Sequence, residues 1–386
     1  MDNKLSTPLG DERKAVVPDL HIGRFDIPDT PGLRFARKLK AGWNLGNTFD
    51  ATRRGFSGPN EMALETIWCG VRTTDELIGA VSAAGFVTLR LPVSWHDHVD
   101  AGFTISRRWL DRVGEVADMA LSRGMYVILN THHDETPEHL GFTGALYPTA
   151  ERYLTRVWRQ LCDRFAGYDE HLIFESMNEP RLKGHALEWR FTPEDPDCRG
   201  AAECVDRLNQ AFVDTVRSSG GHNRDRFLMV PGYAAAPAHP LSDLFTLPRD
   251  PVPGRLALSV HAYTPYGFAL DRTGETSFSL TDERQTGEIT AFMDGLYHKF
   301  ISKRIPVVLG EFGALFKGGP LQDRVDYTAY YVTSAAARGM PCCWWDNNAF
   351  FGRGENFGLL DRRTCRWPYL KIVDAVTRYA PKDEMN

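Results

Sequence analysis

Short apolar runs alternate with longer amphipathic segments along most of this chain, and this alternation constrains the fold more than any other feature. Each run ends near a polar residue, a glycine or a proline, as buried strands do where they meet loops. The predicted strands are residues 39–45, 86–91, 125–130, 171–176, 227–230, 256–260, 306–310 and 342–345. The predicted helices are residues 32–40, 73–85, 106–123, 149–165, 201–218, 288–303, 321–338 and 368–379. Strands that alternate with helices predict a parallel sheet, and eight such strands predict an α/β fold that closes as a single (β/α)8 TIM barrel.

An open, doubly wound sheet is the alternative architecture. Such a sheet needs a glycine-rich phosphate turn after its first strand. The segment GWNLGN at 42–47 lacks the G-x-G-x-x-G spacing of that turn. The barrel is therefore the favoured prediction, and 386 residues are enough for one barrel with insertions.

Composition excludes several kinds of partner. The net charge of -5 provides no basic surface, so no nucleic-acid partner is expected. No run of about 18 apolar residues is present to span a membrane. Residues 1–20 lack the apolar core of a signal peptide, so we expect a cytoplasmic protein, or a secreted one if a signal has been removed. Seven cysteines, an odd number, imply no disulfide framework, and no CxxC or HExxH spacing indicates a metal. A monomer without cofactor or metal is expected.

Two glutamates follow predicted strands, where the catalytic groups of a barrel gather. The apolar run 172–174 leads through a polar cluster to Glu179, and Pro180 prevents the strand from continuing. The run 306–310 leads directly to Glu311. Two carboxyl groups held at one end of a sheet suit acid/base and nucleophilic chemistry on an acetal. The alternative is that each glutamate is a surface residue in an ion pair.

Further polar and aromatic side chains are predicted at the same end of the barrel, because the C-terminal ends of parallel strands meet there. They are Asn44, Asn47, Arg90, His132, His133, Asn178, His261, Tyr263, Trp344, Trp345 and Asp346. Aromatic residues make up 11% of the chain. That content suits a cleft lined with flat apolar faces for sugar rings, and it also suits a well-filled core.

Seven motifs carry a resemblance to a known family. They are WNLGNTFD (43–50), TLRLPVSW (88–95), VILNTHHD (127–134), FESMNEP (174–180), HAYTP (261–265), GEFG (310–313) and WWDN (344–347). With these motifs the chain resembles glycoside hydrolase family 5, the cellulase-type barrel enzymes of clan A, over residues 38–345. The segment IWCG at 67–70 is similar to the endoglucanase and xyloglucanase branch called subfamily 4. It departs from the usual WGNP form of that branch at Cys69 and Val71.

The resemblance implies roles for individual residues. Glu179 is expected to be the acid/base and Glu311 the nucleophile of a retaining mechanism. His132 corresponds to the shared active-site histidine, and Asn178 is the expected donor to the sugar 2-hydroxyl. The chemistry agrees with the pattern of strand ends, because retaining hydrolysis needs two carboxyl groups about 5–5.5 Å apart.

Three more residues are expected to support the two glutamates. An Arg90 guanidinium that reaches Glu311 would keep that carboxylate ionised. Tyr263 is expected to orient Glu311, and His261 to contact Glu179 or the sugar of the leaving group. The alternatives are a structural ion pair for Arg90 and core positions for the other two.

Sugar contacts are predicted from the remaining strand ends. Trp345 is expected to stack beneath a sugar, with Trp344 turned into packing. Asn44 is a candidate sugar ligand, and His133 is expected to touch a distal sugar. If His132 and His133 continue a strand, their side chains point to opposite faces.

The resemblance implies a retaining endo-β-1,4-glucanase that acts on a β-glucan polysaccharide or oligosaccharide, with xyloglucan and mixed-linkage glucan as further substrates. A xylanase, a mannanase, a metal-dependent barrel hydrolase and a non-catalytic polysaccharide-binding barrel remain alternatives. Substrate choice depends on the loops 51–72, 135–148, 181–200 and 264–282. We expect residues 1–35 to form an arm packed on the barrel, and residues 36–382 to form the catalytic domain.

Overall fold

The eight predicted strands form a closed, parallel barrel in the order in which they occur along the chain. The computed structural model describes residue 12, residues 14–53, residue 55 and residues 60–382. The strands are β1 (Ala41–Leu45), β2 (Thr88–Leu91), β3 (Tyr126–Asn130), β4 (Leu172–Glu175), β5 (Leu228–Pro231), β6 (Leu256–His261), β7 (Val307–Phe312) and β8 (Cys342–Asp346). β1 pairs with both β2 and β8, which closes the barrel and confirms the predicted fold.

Helices connect the strands around the outside of the barrel. The α-helices are α1 (Pro31–Lys38), α2 (Asp75–Ala83), α3 (Arg107–Leu121), α4 (Tyr147–Arg164), α5 (Pro196–Arg217), α6 (Ala238–Leu241), α7 (Tyr266–Ala269), α8 (Glu283–Lys299), α9 (Leu321–Ala337) and α10 (Leu370–Tyr379). Short 3-10 helices occupy Glu61–Thr66, His96–His98, Gly221–Arg224, Tyr233–Ala235 and Ile301–Lys303.

Local sequence signals explain most of the helix boundaries. The Thr74 hydroxyl accepts the backbone N–H of Leu77 and begins α2. Gly85, with φ of 95°, adopts a left-handed conformation that glycine tolerates without steric cost, and the chain turns there toward β2. α5 begins earlier than predicted because Pro196 stands in its first turn and Asp195 caps it. Part of the predicted insertion 181–200 is therefore helical.

The N-terminal end of the barrel is filled by apolar side chains. Phe35 of α1 stacks on Phe227 with ring centroids 4.2 Å apart and meets Tyr126 edge-on. Leu39, just after α1, joins the same buried cluster, which includes Ile128 inside the barrel. Burial of such a side chain stabilises the fold by roughly 1.5–3 kcal/mol. α1 thus closes one end of the barrel, and the C-terminal ends of the strands remain for a functional site.

Residues 16–26 lie along α8, α9 and α10. The Phe25 N–H donates to Ala337 O over 3.0 Å, and the Tyr297 hydroxyl donates to Asp26 O over 2.6 Å. The predicted boundary at residue 35 falls inside α1, and residues 1–11 lie outside the described residues. The division into an arm at 1–35 and a domain at 36–382 therefore stays a prediction. Among the described residues, no helix combines the length and apolarity needed to cross a membrane.

Candidate active site

Glu179 and Glu311 meet at the C-terminal end of the barrel. Glu311 belongs to β7, whereas Glu179 follows β4 in a turn that Pro180 ends, because β4 itself stops at Glu175. One carboxylate oxygen of each glutamate and one ring nitrogen of His261 all lie within 4.8 Å of one another. The pairing of β6 with β7 shifts register just before His261, which faces Glu311 across the two strands. A bulge of this kind re-aims side chains at the rim of a barrel.

Arg90 of β2 holds the Glu311 carboxylate from inside the barrel. Its Nη1 donates to Glu311 Oε1 over 2.6 Å, and its Nε donates to Glu175 Oε2 over 2.8 Å. Arg90 is fully buried, and a buried charge is tolerated only when it is paired and hydrogen-bonded. Burial lowers the pKa of Arg90, but Glu175 and Glu311 outweigh burial and raise it. The predicted contact is present, and it places a permanent cation beside Glu311.

Glu175 is a third carboxylate of this site, and the sequence did not predict it. Its Oε2 accepts from Arg90 and from Asn130 Nδ2 at 3.1 Å. Its Oε1 accepts from the Ser259 hydroxyl at 2.5 Å. The side chain is completely buried. One sequence signal could have indicated Glu175, because it directly follows the apolar run 172–174 within the predicted strand 171–176. An acidic side chain in a buried strand needs a buried cation as its partner.

Tyr263 contacts Glu311, and His261 lies close to both glutamates. The Tyr263 hydroxyl donates to Glu311 Oε2 over 2.9 Å. His261 Nδ1 lies 2.9 Å from Glu179 Oε1 and 3.7 Å from Glu311 Oε1. Burial, with the charge of Glu311, raises the pKa of Tyr263 well above its ordinary value, so the tyrosine stays a hydrogen donor. Glu311 is therefore held by Arg90 and Tyr263, and Glu179 by His261.

The pKa values of the two glutamates move in opposite directions. Burial raises the pKa of Glu179, but the hydrogen bond and charge of His261 outweigh burial and lower it. Burial also raises the pKa of Glu311, and here His261 and Arg90 only partly offset the rise. The two carboxyl groups thus have different environments, but these shifts favour a proton on Glu311 rather than on Glu179, the reverse of the expected acid and nucleophile.

Aromatic rings continue from this centre along one side of the mouth. Trp345 is nearly parallel to His132, with centroids 5.7 Å apart, and His132 meets His133 edge-on at 4.3 Å. β3 ends at Asn130, so the two histidines lie beyond the strand and do not alternate between its faces. Burial lowers the pKa of His132 well below its ordinary value and that of His133 to about 4. Both rings are therefore neutral near pH 7.

The sequence model of the family described as Cellulase (glycosyl hydrolase family 5) matches residues 49–351. The chain belongs to glycosyl hydrolase family 5. The predicted family and enzyme class are confirmed, and this family 5 enzyme is a glycoside hydrolase.

Relatives and solved structures agree with the family. Endoglucanase B of Ruminococcus albus is 44% identical over 349 residues, which cover 90% of this chain and 80% of the relative. A mutant of a Glycoside Hydrolase 5 lichenase from Caldicellulosiruptor sp. F32, in complex with cellotetraose, is 51% identical with a TM-score of 0.93, covering 95% of this chain and 100% of that chain. A GH5-4 broad specificity endoglucanase from Ruminococcus champanellensis with bound cellotriose is 39% identical with a TM-score of 0.84, covering 92% and 100%.

Asn44 does not reach the cleft of this family 5 enzyme. The side chain is fully buried, its Nδ2 donates to Gly310 O over 3.0 Å, and its Oδ1 accepts from Arg90 over 2.9 Å. The expectation that Asn44 contacts a sugar is corrected, because its amide is committed to bonds inside the barrel. Asn178 differs, since its Oδ1 accepts from Arg90 Nη2 over 2.8 Å and its amide nitrogen has no hydrogen-bond partner among the described residues.

The two adjacent tryptophans of β8 take different places. Trp344 is fully buried and donates its indole N–H to Phe357 O over 3.1 Å. Trp345 keeps 7% of its surface exposed beside His132. Trp68, which was not predicted as a site residue, is 43% exposed and lies 5.9 Å from the His133 ring. The predicted packing of Trp344 fits this arrangement, and Trp68 extends the aromatic side of the mouth.

Two groups of side chains within the described residues bring together three atoms of the type that bind metals. One is Glu179, His261 and Glu311, and the other is Asp50, His132 and His133. The Asp50 carboxylate already accepts the backbone N–H groups of Asn47 and Thr48. The expectation of no metal stays a prediction.

Proposed function

We propose that this family 5 enzyme is a retaining endo-β-1,4-glucanase in which Glu311 is the nucleophile and Glu179 is the acid/base. The observation that carries the proposal is the close approach of the two carboxyl groups, with one oxygen of each within 4.8 Å. Retaining glycosidases hold these groups about 5–5.5 Å apart, whereas inverting enzymes leave about 6.5–9.5 Å for a water molecule. The short distance supports direct attack by a carboxylate on the sugar.

In the first step, a Glu311 oxygen attacks the anomeric carbon while Glu179 gives a proton to the glycosidic oxygen that leaves. Arg90 and Tyr263 each hold one oxygen of Glu311, which fixes the orientation of the carboxylate before attack. The product is a covalent glycosyl-enzyme. In the second step, Glu179 takes a proton from water, and the water displaces Glu311 with overall retention.

Glu179 must give a proton in the first step and take one up in the second. His261 Nδ1 lies 2.9 Å from Glu179 Oε1, and this hydrogen bond fixes the orientation of the carboxyl group for both transfers. Burial raises the pKa of Glu179, but the hydrogen bond to His261 lowers it, which favours the ionised form that acts as the base in the second step.

Sugar binding is assigned to groups around this pair. Asn178 has its Oδ1 held by Arg90, which leaves its amide nitrogen as a donor to a sugar 2-hydroxyl. Trp345 offers an indole face for stacking beside His132, and His133 contacts the other side of His132 edge-on. The cellotetraose complex of the lichenase relative supports β-1,4-linked glucose units as the ligand. Mixed-linkage β-glucan and cellulose-type glucans are the proposed substrates, ahead of xyloglucan.

The test measures reducing-sugar release from barley β-glucan, carboxymethylcellulose, xyloglucan, xylan and mannan by the wild type and by Glu311→Gln. We expect release from the glucans, retained anomeric configuration by NMR, and loss of release in the variant. Preference for xylan or mannan would replace the substrate proposal, and inverted products would overturn the mechanism. No release from any polymer would favour a non-catalytic binding barrel.

A further inference from the structure

Arg324, near the beginning of α9, is a buried cation that forms no ion pair with a carboxylate of the described residues. It is 3% exposed, and its Nε donates to Ala314 O over 3.2 Å. Neither Nη1 nor Nη2 has a hydrogen-bond acceptor in the described part of the chain. Burial lowers the pKa of Arg324 to about 10, and Tyr369 only partly offsets this shift. The guanidinium therefore still carries its charge near pH 7.

Two aromatic rings lie close to this guanidinium. Its carbon is 4.8 Å from the centroid of the Tyr369 ring and 6.0 Å from that of the Phe316 ring. Such contacts stabilise a cation, but they provide no acceptor for the N–H groups of Nη1 and Nη2. The Tyr369 hydroxyl makes no hydrogen bond with the described residues, and a neutral group would not balance the charge. Because a buried charge is tolerated only when it is paired and hydrogen-bonded, Arg324 needs an anion.

A small cavity adjoins Arg324. It leaves about 10 Å³ for the centre of a water-sized sphere, which is room for a single small ligand. Lys317 lines the cavity together with Arg324, and the other lining residues are Phe268, Thr276, Leu315, Gly319 and Pro320. Two of these described lining side chains are thus cationic, and none is acidic.

The beginning of α9 adds a third source of positive potential. The N-cap of α9 is Pro320, whose side chain cannot accept a hydrogen bond, and Pro320 itself lines the cavity. Asp323 lies in the first turn, but its carboxylate accepts the Phe278 N–H over 3.0 Å and does not line the cavity. The N-terminus of a helix favours negative charge through its free N–H groups and its dipole. The buried guanidinium, the lysine and the uncapped helix therefore all favour an anion at one place.

Size and charge select the kind of anion. Room for one small sphere excludes phosphate, sulfate and carboxylates, and a neutral water molecule would leave the charge of Arg324 uncompensated. We propose that this cavity binds one monatomic anion, which is chloride in ordinary buffers, and that the anion pairs with the Arg324 guanidinium. The inference does not depend on the proposed function, because neither Glu179 nor Glu311 takes part in it.

The anion joins three segments of the chain. Thr276 belongs to the chain after β6, Gly319 to the chain after β7, and Arg324 to α9. Gly319 approaches Thr276 O too closely to admit a side chain, so the first two segments are in direct contact there. β7 carries Glu311, and the anion thus stabilises the chain where it leaves the active site. We expect chloride to stabilise the whole protein for this reason.

The first experiment measures thermal unfolding of the wild type in sodium chloride and in sodium methanesulfonate at the same ionic strength. Methanesulfonate carries the same charge but is too large for the cavity. We expect Tm to be roughly 1–4 °C higher in chloride, with a rise that saturates as the chloride concentration increases. Equal Tm values in the two salts, or a rise that does not saturate, would overturn the proposal.

The second experiment repeats this comparison with variants of two buried arginines. Arg324→Met should lose the chloride-dependent rise, and in methanesulfonate it should be at least as stable as the wild type, because it removes an uncompensated charge. Arg338→Met, at the end of α9, is the matched control. The Arg338 side chain is 5% exposed and its Nε pairs with Asp294 over 2.6 Å, so this variant should lose the same stability in both salts. An equal loss in both salts for Arg324→Met would show that Arg324 is merely structural.

The third experiment needs no folded variant. Wild-type crystals are grown in sodium bromide, and anomalous scattering locates the bromide. We expect one bromide ion against the Arg324 guanidinium. A water molecule at that place in bromide would overturn the proposal. Bromide in the crystal without a saturable rise of Tm in solution would be an adventitious ion only, and this result would overturn it as well.

Discussion

Tyr263 donates its hydroxyl hydrogen to Oε2 of Glu311 over 2.9 Å, while Arg90 holds the other oxygen of the same carboxylate. The two donors come from different elements, since Arg90 belongs to β2 and Tyr263 follows β6. Together they fix the plane of the carboxylate relative to a sugar in the cleft. The orientation of Glu311 therefore depends on the closure of the barrel, which brings these elements to one place.

Tyr263→Phe should lower kcat roughly 10- to 1000-fold, because it removes one of the two donors that orient the nucleophile. The Tyr263 hydrogen bond lowers the pKa of Glu311, so its loss raises that pKa. The acidic limb of the kcat/KM profile should therefore move to higher pH. A pH–rate profile on 2,4-dinitrophenyl β-cellobioside measures both effects. An acidic limb that stays in place would argue against this hydrogen bond in solution.

Arg90→Met should destabilise the fold by about 3–5 kcal/mol, because it leaves buried carboxylates without their cation. Glu175 is fully buried and keeps only neutral partners in that variant. Urea unfolding followed by fluorescence measures the loss. The double variant Arg90→Met with Glu175→Gln should recover part of the stability, since it removes one uncompensated charge. Full stability of the single variant would contradict the buried ion pair.

Glu179→Ala should lose activity in proportion to the need for a proton. An acidic phenol leaves without protonation, so kcat/KM of the variant, which reports the first step, should stay within about 10-fold of the wild type on 2,4-dinitrophenyl β-cellobioside. Poor leaving groups and cello-oligosaccharides should lose about 100-fold or more. A series of phenols of rising pKa measures this dependence. Equal losses across the series would exclude Glu179 as the acid.

Asp206→Asn should stabilise the protein at alkaline pH. Asp206 accepts the Thr246 N–H, and burial raises the pKa of Asp206 to about 7. A pKa raised in the folded state gives stability that is present below pH 4 and is lost as the pH rises through about 7. The amide cannot ionise, so the variant should gain on the order of 1–2 kcal/mol at pH 8 and nothing near pH 4. Thermal unfolding at pH 4 and pH 8 measures this gain in stability. An equal gain at both pH values would contradict the raised pKa of Asp206.

The sequence was sufficient to predict the barrel and its two central glutamates, because both depend on local patterns. Apolar runs of strand length recur eight times, and each glutamate follows one of them closely. The exact residues at which the strands end were harder to predict. β4 stops at Glu175, and β7 continues through Glu311 to Phe312, since pairing with neighbouring strands decides where each ladder ends.

Residues whose partners come from across the barrel were the hardest to interpret. Asn44 looked like a sugar ligand from its place at the end of β1, but Gly310 and Arg90 occupy its amide. Glu175 looked like part of an apolar strand, but it is the second partner of Arg90. Contacts between such distant positions follow from closure of the barrel, and no spacing along the chain reveals them. Trp189 lies in the predicted insertion 181–200, and its contact with Arg181 could not be predicted from the sequence.

If Glu311 forms a covalent bond with the sugar, a substrate that slows the second step should trap this intermediate. The enzyme is incubated with 2,4-dinitrophenyl 2-deoxy-2-fluoro-β-cellobioside, digested, and analysed by mass spectrometry. We expect time-dependent inactivation with one fluorocellobiosyl group on the peptide that contains Glu311. A label on any other carboxylate, or turnover of this substrate with inverted configuration and no label, would contradict it.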